Sequence, residues 1–265
     1  MKIAIAGAAG RMGQMLIRQI AGTPGCTLAG ALEGAASNAL GRDAGEVAGV
    51  GPRGVKIVSD GAAAIGAAQV VIDFTVPAAT VAHARIAADK GVAMVIGTTG
   101  LDPAQTALIH EAAKKVPIMW AANMALGVNI LMALVEKTAA MLDPAYDIEI
   151  FEMHHRHKID APSGTALALG RSAAAGRKVE LEKVWRRSRD GHTGARPTGE
   201  IGFAALRGGE EVGVHTVMFA SAGERLELTH RAFSREGYAL GAVMAAQWLK
   251  GKKPGLYGMK DVLGL

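Results

Sequence analysis

The sequence predicts an α/β protein whose first part is a parallel sheet covered by helices on both faces. Strand-length segments alternate with helical segments over about the first 120 residues, which is typical of βαβ units. Several strand segments are continuous apolar runs, as expected of strands buried on both faces. After about residue 125 the strands alternate between apolar and polar residues, which indicates a second part with a different kind of sheet.

The strands of the first part end at glycine-rich or polar turns. Residues 2–6 form an apolar strand, and the turn after them leads into a helix that ends at Gly22. A glycine-rich loop is expected between the second strand and about Gly54. Asp102 followed by Pro103 predicts a helix start, because aspartate caps helices and proline fits the first helical position. The predicted strands are 2–6, 27–32, 69–74, 92–96 and 116–120, and the predicted helices begin near residues 12, 77 and 103.

The second part is predicted to begin with a long helix over residues 127–142. Residues 147–154 then alternate between apolar and polar, as in a strand with one buried face. Three further strand segments with short glycine-containing connections predict antiparallel hairpins. These segments are 201–206, 212–219 and 225–229. A final helix is predicted over residues 235–249.

Composition excludes several classes of protein. Half of the 265 residues are hydrophobic and 20% are charged, which is the composition of a globular protein and not of a disordered one. No run of 18 residues is free of charges and glycine-rich breaks, so we expect neither a transmembrane helix nor a membrane partner. The apolar run at residues 3–6 is too short for a signal peptide. Cys26 is the single cysteine, which predicts a chain without an intramolecular disulfide in the reducing cytoplasm.

The charge balance favours a small anionic ligand. The formal net charge is +5, and aromatic residues make up only 4% of the chain, which leaves few side chains for stacking on bases. We therefore expect no nucleic-acid partner.

A glycine-rich turn directly follows the first strand and opens a helix. Gly7, Gly10 and Gly13 are spaced three apart, whereas the commonest dinucleotide fingerprint has its first two glycines two apart. Arg11 adds a positive charge at the helix N-terminus, where a pyrophosphate binds. Glu33, 20 residues beyond Gly13, ends the second strand and can accept hydrogen bonds from ribose hydroxyls. The pattern predicts a dinucleotide site, although a glycine-rich turn without a ligand has the same pattern.

Two later turns lie where the rest of such a site belongs. Residues 97–100, Gly-Thr-Thr-Gly, follow the fourth predicted strand, and residues 121–124, Ala-Ala-Asn-Met, follow the fifth. Ligands of doubly wound sheets bind beyond the carboxyl ends of the strands, and small hydroxyl side chains there can bind the nicotinamide half. Ordinary turns have the same composition, so this alternative stays open.

The most unusual stretch is residues 154–158, His-His-Arg-His-Lys, followed by Asp-Ala-Pro-Ser-Gly-Thr at 160–165. Three hypotheses fit it. Two or three histidines could bind zinc, although no cysteine or carboxylate lies at a familiar ligand spacing. The stretch could be a solvated basic loop. It could also bind an anionic substrate with Lys158 and the helix N-terminus near residue 164, while histidine transfers protons.

These motifs together resemble one family. The resemblance rests on GAAGRMG at 7–13, Glu33, VIDFT at 71–75, GTTG at 97–100, AAN at 121–123, EMHHRHKIDAPSGTA at 152–166, GHTG at 191–194 and GERLELTH at 223–230. In this order they cover the whole chain, and they resemble the bacterial dihydrodipicolinate reductase family, also called 4-hydroxy-tetrahydrodipicolinate reductase. The resemblance implies reduction of 4-hydroxy-tetrahydrodipicolinate, a small cyclic dicarboxylate, by NADH or NADPH in the diaminopimelate route to lysine.

The resemblance also implies the organisation of the chain. A Rossmann-type dinucleotide-binding domain would comprise residues 1–125 plus 235–265, because the C-terminal helix of the family returns to the first domain. An α+β domain, residues 126–234, would bind the substrate and build a homotetramer through its sheet.

Roles for individual residues follow from the same resemblance. His154 matches the proton donor and acceptor of the family, and Lys158 matches its proton donor. His155, Gly164 and Thr165 match substrate contacts, and no metal site is implied. The implied cofactor contacts are Gly7, Ala8, Ala9, Gly10, Arg11, Met12, Glu33, Gly97, Thr98, Thr99, Ala121, Ala122, Asn123 and Met124.

Two departures from the family bear on the cofactor. Many relatives carry arginine after the ribose-binding acid and before the proline of the FT-x-P turn, where this chain has Gly34 and Val76. Glu33 would repel the 2′-phosphate of NADPH, and Gly34 offers no compensating cation. NADH is therefore expected to serve at least as well as NADPH, with Arg42 as the remaining cation that could reach the phosphate.

Three other functions fit parts of the pattern. They are a nucleotide-binding regulator without activity, another Rossmann oxidoreductase acting on an amino or oxo acid, and a metal-dependent hydrolase. Turnover would exclude a regulator without activity. Another Rossmann oxidoreductase would not need the loop at 152–166 in this form. The metal content of the purified protein would decide whether it is a metal-dependent hydrolase.

Overall fold

The computed structural model describes all 265 residues, which form two compact units. The first unit comprises Met1–Leu126 and Glu236–Leu265, and the second comprises Gly127–Arg235. The strands are β1 Lys2–Ala6, β2 Thr27–Leu32, β3 Ile57–Val58, β4 Val70–Asp73, β5 Ala93–Ile96, β6 Pro117–Trp120, β7 Asp147–His154, β8 Trp185–Arg186, β9 Ile201–Arg207, β10 Gly213–Ala220, β11 Arg225–Ala232 and β12 Gly255–Tyr257. The helices are α1 Arg11–Gly22, α2 Ala44–Val47, α3 Gly61–Gly66, α4 Pro77–Lys90, α5 Pro103–Ala113, α6 Leu126–Met141, α7 Gly164–Gly176, α8 Leu181–Val184, α9 Glu236–Trp248 and α10 Met259–Leu263. None of these helices has the length and hydrophobicity that a membrane span requires.

Seven parallel strands form the sheet of the first unit, in the order β12-β6-β5-β4-β1-β2-β3. From β1 the chain moves outward to β2 and β3, and it then returns to the other side of β1 to form β4. This reversal is the switch point of a doubly wound sheet, where ligands bind beyond the carboxyl ends of the strands. The predicted fold class, a Rossmann-type α/β domain with a second sheet domain, is confirmed.

Alternate residues of β1 enter two separate hydrophobic cores, one on each face of the sheet. Ile3 and Ile5 pack with residues of α1 and α9, including Leu16 and Val243. Ala4 and its neighbours on the other face pack against α4 and α5. Full burial of an isoleucine or leucine side chain stabilises the fold by about 1.5–3 kcal/mol, so both faces of the strand are held in place.

Five short elements of the first unit were not predicted from the sequence: α2, β3, α3, β12 and α10. The predicted loop between the second strand and Gly54 contains the short helix α2, because the Asp43 side chain accepts hydrogen bonds from the backbone N–H groups of Gly45 and Glu46. The short strand β12 pairs with β6 and adds an edge strand that the sequence did not predict.

The second unit contains a mixed five-stranded sheet in the order β11-β10-β7-β9-β8. The predicted hairpin of β10 with β11 is present, but the predicted hairpin of residues 201–206 with 212–219 is wrong. β9 runs parallel to β7 and lies on the side of β7 opposite to β10. The connection between β9 and β10 crosses the end of β7, where Gly208 N donates to His154 O at 3.0 Å and His155 N donates to Glu211 O at 2.7 Å. A glycine pair in the sequence is compatible with either connection.

Candidate active site

The glycine-rich turn joins β1 to α1 by a close approach of backbone to backbone. Gly7 has a φ of 80°, which favours glycine. A Cβ at Gly13 would lie 2.0 Å from the Gly7 carbonyl oxygen, and one at Gly10 would lie 3.2 Å from the same atom. No side chain caps the N-terminus of α1. The turn contains only glycine and alanine and lies at the positive end of a helix, so its backbone fits the pyrophosphate of a dinucleotide.

Glu33 follows β2 beside this turn. Its Oε1 accepts a hydrogen bond from Ala9 N at 2.8 Å, and its Oε2 accepts one from Gly34 N at 3.2 Å. The carboxylate thus lies where the ribose hydroxyls of a dinucleotide bind in this fold. A Cβ on Gly34 would meet no heavy atom within 4 Å, so the position has room for a larger side chain.

The predicted cofactor residues lie at one edge of the sheet, because the strands are parallel and the turns follow their carboxyl ends. Two of them, Ala8 and Met124, have side chains buried in the hydrophobic core, so they line the edge with backbone alone. Glu33 follows β2. The turns after β1, β5 and β6, with the first residues of α1, contain Gly7, Ala8, Ala9, Gly10, Arg11, Met12, Gly97, Thr98, Thr99, Ala121, Ala122, Asn123 and Met124.

A fully buried carboxylate, Asp73, connects the ends of β4 and β5. Its Oδ1 accepts hydrogen bonds from the hydroxyls of Thr75 at 2.6 Å, Thr80 at 3.0 Å and Thr98 at 3.1 Å. Its Oδ2 lies 2.6 Å from His83 Nδ1. The cluster fixes Thr98, one of the predicted cofactor residues. The sequence prediction did not include Asp73, although a single acid at the end of an apolar strand is a visible signal.

Strand β7 positions the first residues of the histidine-rich stretch. Its residues alternate between the two faces of the sheet, so Ile148, Ile150, Glu152 and His154 share the buried face. The isoleucines belong to the hydrophobic core, whereas Glu152, 1% exposed, and His154, 8% exposed, bring polar groups into it. Buried polar groups are costly unless they have hydrogen-bond partners.

The Glu152 carboxylate has partners at both oxygens. Oε2 lies 2.5 Å from His154 Nδ1 and accepts a hydrogen bond from Arg207 Nη1 at 2.8 Å. Oε1 accepts hydrogen bonds from Ser163 N at 3.1 Å and Arg207 Nη2 at 2.9 Å. Burial raises the pKa of Glu152, but the hydrogen bonds from His154 and Arg207 outweigh it and lower the pKa to about 2. The carboxylate is therefore ionised at neutral pH.

A second buried histidine, His215 on β10, packs edge-on against His154 with the ring centroids 5.0 Å apart. Its Nε2 lies 3.1 Å from Ser163 Oγ. Burial lowers the pKa of His215 to about 4. His215 is therefore a neutral neighbour of His154 at neutral pH.

The remaining residues of the loop differ in burial. His155 is half-buried, and its Nδ1 has no hydrogen-bond partner. The His157 side chain is 71% exposed, so this residue alone agrees with the hypothesis of a solvated loop. Lys158 Nζ lies 2.7 Å from Asp160 Oδ1, and this ammonium lowers the pKa of Asp160. No three histidine, cysteine, aspartate or glutamate side chains come together in a geometry that could hold a metal ion.

Helix α7 begins directly after this loop. Its N-cap, Ser163, accepts a hydrogen bond from Ala166 N at 3.2 Å. Gly164 and Thr165 form the first turn, and a Cβ on Gly164 would meet open space. The Asp160 carboxylate, paired with Lys158, also interacts with the Gly164 backbone. The helix N-terminus and Lys158 are thus within reach of one carboxylate group, as an anion site requires.

Three residues of this site, Glu152, Arg207 and His215, were not predicted from the sequence. Glu152 could have been found, because it precedes His154 by two residues and alternation places both on one face of a strand. Arg207 and His215 come from neighbouring strands, and their proximity depends on the order of strands in the sheet.

The fold defines a Rossmann-type dinucleotide-dependent enzyme whose second, separate sheet unit carries the histidine-rich stretch. Residues 1–124 match the family described as dihydrodipicolinate reductase, N-terminus, and residues 127–263 match dihydrodipicolinate reductase, C-terminus. The chain belongs to the dihydrodipicolinate reductase family and is an NAD(P)H-dependent oxidoreductase. The resemblance that the sequence motifs indicated is thereby confirmed.

Individual relatives agree with the family assignment. The 4-hydroxy-tetrahydrodipicolinate reductase of Methylocella silvestris is 56% identical over 265 residues, which cover 100% of this chain and 97% of the relative. The enzyme of the same name from Rhodopseudomonas palustris is 53% identical, with 100% and 98% covered. A solved structure of dipicolinate-bound dihydrodipicolinate reductase from Paenisporosarcina shares the fold, with a TM-score of 0.79, 24% identity and 98% of each chain covered.

Proposed function

We propose that His154 and Lys158 carry the proton transfers of the reaction that this chain catalyses, the NAD(P)H-dependent reduction of 4-hydroxy-tetrahydrodipicolinate to tetrahydrodipicolinate in the diaminopimelate route to lysine. One observation carries the proposal. The Nδ1 atom of the buried His154 ring is occupied by Glu152, which leaves Nε2 to give or accept a proton.

The reaction adds one hydride and one proton to the substrate and releases one water. A bound dinucleotide supplies the hydride from its nicotinamide ring. The protein must stabilise the negative charge that builds on the ring nitrogen of the substrate and deliver the proton. The Lys158 ammonium in the loop after β7 and the His154 imidazole at the end of β7 supply a charge and an acid.

The N-terminus of α7 is the proposed receptor for a substrate carboxylate. Gly164 and Thr165 present the first-turn backbone of a 13-residue helix. Lys158 lies within reach of the same carboxylate position, which Asp160 shares in this structure. We assign His155 to the second contact with the dicarboxylate, because its ring follows His154 directly at the end of β7.

The edge of the parallel sheet is the proposed cofactor site for both NADH and NADPH. The turn at residues 7–12 would hold the pyrophosphate and Glu33 the adenosine ribose. The turns at 97–99 and 121–124 would hold the nicotinamide half, with Thr98 fixed by the Asp73 cluster.

Oxidation of NADH and NADPH, followed by absorbance, tests the proposed function. The substrate is generated by the preceding synthase of the route, and omission of that synthase is the control. Turnover is expected with both cofactors, and a protein that oxidises neither NADH nor NADPH would refute the proposed function.

We predict that kcat/KM with NADH equals or exceeds kcat/KM with NADPH. Glu33 lies beside the glycine turn and would repel a 2′-phosphate, while Gly34 contributes no cation. Gly34→Arg is expected to raise kcat/KM for NADPH more than for NADH, because the guanidinium pairs only with the phosphate. The kcat/KM values for NADH and NADPH are measured at one ionic strength for both proteins, since salt screens phosphate recognition.

Gly34→Gln is the matched control, because it adds a long side chain without a charge and should leave the cofactor ratio unchanged. Arg42 is exposed, and its backbone carbonyl accepts a hydrogen bond from Ile57 N. A tenfold preference for NADPH in the unmodified protein, about 1.4 kcal/mol, would contradict the prediction. Loss of that preference in Arg42→Ala would then identify Arg42 as the phosphate contact.

We further propose that the chain assembles as a homotetramer through the sheet of its second unit. The helices α6 and α7 cover one face of that sheet with a hydrophobic core. The register of the strands places a row of apolar side chains on the opposite face. These residues are Phe151, Met153, Leu206, Val214 and Met218.

Leu206→Glu is predicted to break the tetramer. Leu206 is 49% exposed, and a charge there would be buried without a partner in the assembly. Leu226→Glu is the matched control, because Leu226 is 44% exposed but pairs in register with Phe219 on the helix-covered face. Light scattering should give four chain masses for the unmodified protein and the control, and a smaller mass for Leu206→Glu. A monomeric unmodified protein would refute the assembly.

The cytoplasm is the proposed compartment. Cys26, the single cysteine, is a free thiol in this structure, as a reducing compartment requires.

A further inference from the structure

We propose that Glu152, held by Arg207, is a positioning residue that fixes the tautomer and the orientation of the His154 ring. The inference deepens the proposed function and rests on the acid–base role of His154. Glu152 is 1% exposed, so it acts through its neighbours and does not touch the substrate itself.

One carboxylate connects three segments of the candidate site. Glu152 binds His154 Nδ1 at the end of β7 and Ser163 N at the start of α7. Arg207, its partner on β9, also donates to the backbone oxygen of Asp160 at 2.6 Å. Asp160 in turn pairs with Lys158. The proposed acid–base residues and the N-terminus of α7 are therefore all held, directly or through one neighbour, by the Glu152–Arg207 pair.

The geometry of the Arg207 contact makes this point rigid. The two terminal nitrogens of the guanidinium bind the two carboxylate oxygens at 2.8 and 2.9 Å, which is the bidentate arrangement. The arginine also compensates the charge of the buried carboxylate, so the carboxylate stays ionised. Ser163 N satisfies a further lone pair.

An ionised carboxylate only accepts hydrogen bonds. The proton between the two groups therefore lies on His154 Nδ1, which leaves Nε2 as the nitrogen that can exchange a proton with the substrate. His215 does not compete for this proton, because its Nε2 faces Ser163 Oγ. A Cβ on Gly213 would lie 3.1 Å from His154 Nε2, so glycine leaves room beside the reactive nitrogen.

Glu152→Gln tests the proposal with a side chain of nearly the same shape. With its oxygen kept toward Ser163 N and Arg207 Nη2, the glutamine places its amide nitrogen at the Oε2 position and loses the hydrogen bond from Arg207 Nη1. The amide nitrogen then donates to His154 Nδ1, which is expected to move the ring proton to Nε2. Nitrogen-15 chemical shifts of the histidine rings report this tautomer, and the His154 signal is assigned by its absence in His154→Ala. The expected kcat falls by about 10²–10⁴-fold, because the wrong tautomer removes the acid–base function of His154. KM should change less, because Ser163 N can still donate to the amide oxygen.

Glu149→Gln is the matched control. Glu149 also lies on β7 and pairs with two arginines, Arg189 at 2.8 Å and Arg196 at 2.9 Å, but on the opposite face of the strand. It should leave the His154 tautomer and kcat unchanged. Melting temperature and dinucleotide affinity are measured for every variant, so that a loss of fold is separated from a loss of positioning.

The outcomes separate this inference from the proposed function. A Nδ1-protonated His154 in the unmodified protein, converted by Glu152→Gln, supports the positioning role. A Nε2-protonated ring in the unmodified protein overturns it, even where Glu152→Gln does not fold. If Glu152→Gln changes neither the tautomer nor kcat while His154→Ala is inactive, the positioning role of Glu152 is refuted and the acid–base role of His154 is not. A His154→Ala protein with ordinary turnover refutes the acid–base role of His154, and the catalytic part of this inference with it.

Discussion

His154→Ala and Lys158→Ala are each expected to lower kcat by about 10²–10⁴-fold, which is the usual contribution of a general acid or base. His154 ends β7, and Lys158 lies in the loop between β7 and α7, whose N-terminus is the proposed receptor for a substrate carboxylate. Neither contributes to the sheet edge where the dinucleotide is proposed to bind, so dinucleotide affinity should stay within about twofold of the unmodified protein.

Two replacements in the same unit serve as matched controls. His157 belongs to the same loop but is 71% exposed, and Lys183 pairs with a nearby acid, Glu180, as Lys158 pairs with Asp160. His157→Ala and Lys183→Ala should keep ordinary turnover. Steady-state kinetics and circular dichroism decide the matter, and a folded protein with near-normal kcat in both test variants would remove His154 and Lys158 from the mechanism.

Gly13→Ala is expected to weaken dinucleotide binding by at least about tenfold, or about 1.4 kcal/mol. The added Cβ would lie 2.0 Å from the Gly7 carbonyl oxygen and 2.8 Å from Ala8 Cα. Both are backbone atoms, so α1 has to move away from β1 and the cradle for the pyrophosphate opens. Overpacking of this kind also costs about 1–3 kcal/mol of stability, which thermal unfolding would show as a lower Tm.

Gly22→Ala is the control within the same helix. A Cβ there meets no heavy atom within 4 Å, and alanine favours a helix over glycine by about 0.5–1 kcal/mol. Titration of the fluorescence of NADH measures both variants. Equal affinities for Gly13→Ala and the unmodified protein would mean that the close approach of α1 to β1 has no role in binding.

The parallel sheet could be predicted because its signals are local. Residues 2–6 and 27–32 coincide with β1 and β2, and each apolar run is visible within one short segment. The hairpin of β10 and β11 was also predictable, since the two strands are adjacent in sequence and their connection is short. The glycine turn and Glu33 could be placed together for the same reason, because one helix separates them.

Contacts between distant segments could not be predicted in this way. Arg207 lies 55 residues beyond Glu152, and they meet because β9 inserts beside β7 in parallel. The pattern of β9 alone is equally compatible with a hairpin to β10. β12 has three residues, too few to show a strand pattern.

The split of the first unit along the chain affects how the protein is made. The ribosome delivers the N-terminus first, and domains fold as units while synthesis continues. Residues Gly127–Arg235 are contiguous, so the second unit has all its strands before the first unit is complete. Leu16 and Ile17 of α1 acquire their partners on α9 only when residues Glu236–Leu265 have been added. A nascent chain therefore exposes this apolar helix face throughout translation of the second unit. During that interval the exposed face can bind a chaperone or aggregate with other chains.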